Sequence, residues 1–190
     1  MTAFLGNPGQ QYRLTRHNLG WLLLENLSFH KDLLWKSKFK GEYAQYGSGT
    51  GRMIFLKPET FMNQSGDSLQ SALVFFKMKP ENLLVVHDDI ELPFGRYQLR
   101  RGGGLGGHNG LRSIAGKLGT GDFYRLRLGV GRPARGDVAS YVLGRFTPQE
   151  EAELTLLYPR GEAVLSSLTT LPPEKLPPSR TAGDIHKEVS

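Results

Sequence analysis

The stretch Leu83-Leu84-Val85-Val86-His87-Asp88-Asp89 decides the fold class. Its first four residues form a continuous apolar run bounded by turn signals, which predicts a strand over Leu83 to Val86 buried on both faces. Upstream, Ser68 to Met78 sets Leu69, Ala72, Leu73 and Phe76 at helical spacing, and Pro80 closes that helix. Downstream, Arg96 to Arg100 carries Tyr97 and Leu99 on one side, as a half-exposed strand does. A Gly-rich loop follows, then a helix over Asn109 to Leu118 and a strand over Tyr124 to Val130. Toward the N-terminus, Tyr43 to Tyr46 and Met53 to Leu56 predict a hairpin. Leu19 to Leu27 predicts a helix with Leu19, Leu22, Leu23 and Leu27 on or near one face, and Ala3 to Leu5 a first strand. Strands interleaved with helices give an α/β domain with a mixed sheet.

At the other end, Thr147-Pro148-Gln149-Glu150 is a helix start. Thr147 can cap, Pro148 suits the first helical position, and Glu150 can reach back. The helix is expected to falter at Pro159 and resume through Leu168. We therefore expect one domain over residues 1–171 and a Pro-rich, polar, mobile tail over 172–190.

The chain has 190 residues, enough to bury a full core without a disulfide or metal staple. It has no cysteine, which excludes a thiol nucleophile and a thiolate zinc site. Neither a secretory signal nor an apolar run of about 18 residues is present, so a soluble cytoplasmic protein is expected. Net charge is +6 but unevenly placed. Between Arg96 and Arg135 lie nine basic residues, eight of them arginine, against one acid, Asp122; the rest of the chain is slightly acidic. A solvated basic face is the bland explanation. Concentration in one segment, and the arginine fork's fit to phosphate, favour a nucleic-acid backbone as partner.

Four short segments carry candidate chemistry: Gly6-Asn7-Pro8-Gly9 with Tyr12, Arg16-His17-Asn18, Phe61-Met62-Asn63, and Gly107-His108-Asn109-Gly110. Singly each has an ordinary structural explanation. Asn7 could satisfy its own turn, and Asn63 and Asn109 could cap helices. Together they place uncharged amide donors and acceptors at the ends of elements, suited to a peptide-like substrate and an ester carbonyl. His17 is the side chain best tuned to take a proton from water near neutral pH, and Asp88 is placed to orient it. No Gly-x-Ser-x-Gly elbow occurs, so water is the natural nucleophile. A metal centre of His17, His87, Asp88, Asp89 and His108 is conceivable. Their spacings match no HExxH-type pair, however, and His87 and Asp88 point to opposite strand faces. We expect no metal. Gly102 to Gly107 contains a formal G-x-G-x-x-G, yet the strand before it is basic and half-polar, against a dinucleotide site. It is a hinge or a gate over the site.

With those residues laid out, the chain resembles the bacterial peptidyl-tRNA hydrolase family. LGNPGQQY, TRHNLGW, LKPETFMNQSG, LLVVHDDIELPFG, GGGLGGHNGLRSI, DFYRLRLGVGRP and YVLGRF occur in the family's order between Ala3 and Phe146. The resemblance implies a monomeric, cofactor-free enzyme built on a twisted mixed sheet flanked by helices in three layers. It implies His17 as general base paired with Asp88, and Asn109 as contact for the water. Asn7 and Asn63 would bind substrate, with Tyr12 and Met62 lining the crevice and Phe61 and His108 at flanking, supportive positions. It also implies contact of Arg100 and Arg127 with the acceptor end and 5′-phosphate of peptidyl-tRNA, in line with the charge asymmetry. A non-catalytic RNA-binding paralogue of the same fold is the rival reading. Leu105 departs from the family's usual gate residue, and Phe4 stands where a Gly is usual.

Overall fold

A computed structural model describes residues 1–47, 49, 52–133 and 135–170. The tail expected over 172–190 lies outside them. The described residues form one sheet of seven strands in the order β2-β3-β4-β1-β5-β7-β6. These are β1 Thr2–Phe4, β2 Lys36–Ser37, β3 Gly41–Tyr46, β4 Met53–Pro58, β5 Leu84–Asp89, β6 Tyr97–Arg101 and β7 Tyr124–Gly129. The centre, β4-β1-β5-β7, is parallel, while β2, β3 and β6 run antiparallel to their neighbours. The sheet is therefore mixed, as expected from the interleaved pattern.

Helices cover both faces. Leu84 and Val86 of β5 join Phe4, Leu126 and Leu128 in one core, closed by α1 (Leu19–Glu25) and α5 (Pro148–Thr170). Val85, with Ala3, Leu5 and Leu56, belongs to the opposite core under α2 (Ser65–Phe75) and α3 (Asn109–Leu118). The two-residue period of each strand thus feeds two cores, which is why β5 reads as unbroken apolar text. A short helix α4 (Val138–Val142) precedes α5. Among the described residues no helix is long and apolar enough to cross a membrane.

Most expected elements are present with shifted ends; three readings need correction, and two elements were not foreseen. The first helix ends at Glu25, and all of Leu19 to Leu24 is buried rather than one face. Gly20 makes this possible: a Cβ there would come within 2.6 Å of the Leu5 carbonyl, so α1 lies directly on backbone. Neither Asn63 nor Asn109 caps a helix. Asn63 sits within a 3₁₀ turn, and the cap of α3 is His108. Helix α5 does not falter at Pro159. Buried Leu154 and Leu157 before the proline and Leu165 after it hold both halves to the core. Gly161, whose Cβ would meet Leu23, lets the second half stay close. Packing here outweighs the lost backbone bond. Lastly, β2 and α4 were not foreseen; two and five residues are too short to show a period.

Candidate active site

The carboxyl ends of β1, β4 and β5 meet where the chain leaves β1 for one face of the sheet and β4 for the other. That switch point opens a crevice. A cleft of about 660 Å³ lies there, and it takes in Asn7, Tyr12, His17, Phe61, Met62, Asn63, Asp88, His108 and Asn109. All four segments singled out in the sequence therefore converge.

His17 sits in a 3₁₀ turn, Arg16–Asn18, immediately before α1, and is buried on its Asp88 side. Its Nδ1–H donates to Asp88 Oδ1 at 2.9 Å, which leaves Nε2 as the ring nitrogen for the cleft. Burial alone would lower the His17 pKa; the charge and hydrogen bond of Asp88 outweigh it and hold the ring above its ordinary value. Asp88 is 2% exposed. Burial would raise its pKa, but His17 and His108 hold the carboxyl well below the usual range. The same Oδ1 also accepts from His108 Nε2 at 3.1 Å. Ligand atoms of His17, Asp88 and His108 lie within 4.8 Å of one another, close enough for a cation in principle. Their contacts are complete donor–acceptor pairs, so the three groups satisfy each other.

The three asparagines are not equivalent. Asn7 is buried, and its Oδ1 accepts from the Met62 backbone N–H at 2.8 Å. Asn18 brackets Asn7 in turn, with Oδ1 accepting from its N–H and Nδ2 donating to its carbonyl. Asn7 is thus a cross-link between the loops after β1 and β4, with its Nδ2 left for the cleft. Asn63 and Asn109 are exposed on the cleft walls. Phe61 is 52% exposed at the rim, and Met62 is buried beneath it. Gly110 lets α3 reach Met62, since a Cβ there would come within 2.6 Å of the Met62 sulfur.

His87 points to the opposite face from Asp88, as the strand period requires. Its Nδ1–H donates to the Asp88 carbonyl, its Nε2 has no partner among the described residues, and burial pushes its pKa down to about 3. It is neutral packing beside the site.

On the basic face the structure separates the two expected tRNA-contact residues. Arg100 is exposed on β6, with no carboxylate partner among the described residues, and its guanidinium lies against Gly103. Arg127 is engaged: Nε donates to Asp89 Oδ2 at 2.7 Å, and Nη1 to Gln98. Between them Arg125, cross-strand partner of Arg100, is 2% exposed. It donates to the Gly104 carbonyl at 2.8 Å, while its Nε and Nη2 have no partner among the described residues. Burial, then the charges of Arg100 and Arg127, lower its pKa. Arg125 thus anchors the Gly102–Gly107 loop from below.

Sequence reading gave no individual role to Arg125, Asn18 or Arg16. Arg16 donates to Glu150 and to the Arg145 carbonyl, and stacks on Tyr141, fixing the His17 turn to the start of α5. It also missed the cleft wall of Asp137, Val138, Ala139, Val142 and Leu143, because α4 is too short to read. The adjacency of Arg16 and Asn18 to His17 was the available signal.

Comparison with known proteins shows which family the chain matches. The family model described as Peptidyl-tRNA hydrolase matches residues 1–178. A Peptidyl-tRNA hydrolase of Geotalea daltonii is 47% identical, covering 91% of this chain and 90% of its own. One from Trichlorobacter lovleyi is 52% identical over 78% and 77%. Among solved structures, the peptidyl-tRNA hydrolase of Acinetobacter baumannii superposes with a TM-score of 0.78 at 33% identity, over 91% of this chain and 87% of that one.

Proposed function

The chain belongs to the peptidyl-tRNA hydrolase family, and from that premise we propose that it hydrolyses the ester joining a peptide, or an N-blocked amino acid, to the 3′ ribose of tRNA. The observation that carries the reading is His17 Nδ1 held at 2.9 Å from the buried Asp88 carboxylate on the floor of the cleft. In this reading His17 Nε2 takes a proton from water as the water oxygen attacks the ester carbonyl carbon. The tetrahedral oxyanion forms, the bond to the ribose oxygen breaks, and the proton passes from His17 to that oxygen. Asp88 keeps the ring in the tautomer that leaves Nε2 basic and stabilises the imidazolium.

Asn109 is our choice for holding the water, with Asn7 Nδ2 and Asn63 binding the peptide end and stabilising the oxyanion. Tyr12, Phe61 and Met62 supply the crevice walls. Arg100 meets the phosphate of the acceptor end, and Arg127 does so while sharing its charge with Asp89. The protein is read as a cytoplasmic monomer that returns tRNA from prematurely released peptidyl-tRNA to use, with water as the only co-reactant. No observation favours the non-catalytic paralogue: His17, Asp88, Asn7, Asn63 and Asn109 are all present and converge.

The test is release of free tRNA from N-acetylated aminoacyl-tRNA by the native protein and by His17→Ala. The variant should lose about 10²–10⁴-fold in turnover, the range of lost acid–base assistance. Near-native turnover would remove His17 from the role.

A further inference from the structure

His108 makes two sets of contacts that together fix where its proton sits. Its Nδ1 accepts from the backbone N–H groups of Gly110 at 3.1 Å and Leu111 at 3.3 Å, capping α3. A ring nitrogen that accepts carries no proton, so the hydrogen is on Nε2. Nε2 lies 3.1 Å from Asp88 Oδ1, the same oxygen that takes the His17 Nδ1–H. Asn, Asp, Ser and Thr are the stronger helix caps, but each brings its polar atoms to one end of a short side chain. Histidine has an acceptor on one side of the ring and a donor on the other, so one residue serves both the helix and the carboxylate.

Resting on the reading of His17 as base, we infer that His108 is a positioning residue that occupies part of Asp88 Oδ1 and so limits how strongly that carboxylate holds the proton of His17. A carboxylate oxygen shared by two N–H donors gives less to each, and the dipole of a neutral donor opposes the Asp88 field at His17. The surrounding groups are consistent with this balance. From β5, Asp88 faces both rings, and neutral His87 meets His108 edge-on with centroids 5.0 Å apart. From the turn before α1, the His17 ring lies 4.7 Å from that of His108. Tyr12, Asp89 and Asp137 are the other titratable groups lining the cleft. Without the His108 donor, Asp88 acts on His17 alone, and the base stays protonated to higher pH.

The experiment uses His108→Asn, which keeps a strong cap but lacks a donor on the far side of a ring. Two quantities are read against pH: the ring titration of His17 by NMR, and kcat/KM on N-acetylated aminoacyl-tRNA. We expect the His17 titration to move upward and kcat/KM at about pH 6, taken relative to its alkaline plateau, to fall roughly tenfold, the size of a one-unit rise in the pKa of the base. A His17 titration that is unmoved or lowered overturns the inference, whatever happens to the rate. An upward titration with an unmoved rate limb keeps the inference and removes His17 as the base, so the two failures are distinct. If the Asn variant does not fold, His108→Ser offers a second cap with the same two readouts.

Discussion

Burial would weaken His17 as a base, and the Asp88 carboxylate at 2.9 Å strengthens it; the second effect prevails. Because the folded pKa is raised, the pair stabilises the fold fully below the unfolded value of about 6.5, and that stability is lost as pH rises through the folded value. Asp88 sets the lower edge, since its depressed pKa contributes above about 3.9 and is lost only as pH falls through its folded value. On the proposed mechanism catalysis has the opposite sense, because His17 must be neutral to act as base, and kcat/KM should climb through the same value. Urea unfolding of the native protein and His17→Gln should therefore differ most near pH 5.5 and converge in alkaline solution. A difference that grows with pH would contradict the pairing. Asp88→Asn removes the orienting charge, and we expect kcat to fall about 10²–10⁴-fold in single-turnover assays while KM stays within a few fold. A loss confined to KM would make Asp88 a substrate-binding group instead.

Helix α5 carries both the best and the worst of what elements reveal in sequence. Its start was legible: the Thr147 N–H donates to Glu150 Oε2 at 2.7 Å, and the Glu150 N–H donates to Thr147 Oγ1 at 3.2 Å, the reciprocal box read from Thr-x-x-Glu. What could not be read is that Glu150 also holds Arg16, 134 residues away in sequence. Glu150→Ala should accordingly cost about 3 kcal/mol or more, since it strands a nearly buried guanidinium, whereas Thr147→Ala should cost about 1 kcal/mol. Only the first should lower kcat, through the Arg16–His17 turn; equal stability losses in urea would show the ion pair to be idle. Pro159 is the converse case, a local rule overridden by leucines that no window around it contains. Restoring the N–H with Pro159→Ala should raise stability by about 1–3 kcal/mol without changing kcat. Likewise the site's residue types were visible as short motifs, while the Asn18–Asn7–Met62 chain was not, because its link from Asn7 to Met62 spans 55 residues.

Over the whole molecule, the charge count between Arg96 and Arg135 pointed to one face but not to which of its cations are free. Arg101, Lys117, Arg127 and Arg132 are paired with Asp122, Asp67, Asp89 and Glu91, and three of those acids lie outside the basic stretch. Folding thus narrows the basic segment to a smaller unpaired set that includes Arg100 and the buried Arg125 beneath the Gly102–Gly107 loop. Each phosphate neutralised contributes roughly 0.9 to the slope of log affinity against log salt on a duplex, and somewhat less on a single strand. Arg100→Gln should therefore weaken binding of uncharged tRNA and flatten that slope by about 1. Arg127 gives a sharper comparison, because Asp89 holds its guanidinium and would compete with the phosphate it is proposed to meet. Asp89→Asn releases Arg127, so tRNA binding at about 50 mM salt should tighten and the slope should steepen, by up to about 1. Binding measured by filter retention across salt would decide it: an Asp89→Asn variant with the native slope would mean that Arg127 serves the sheet edge and not the tRNA.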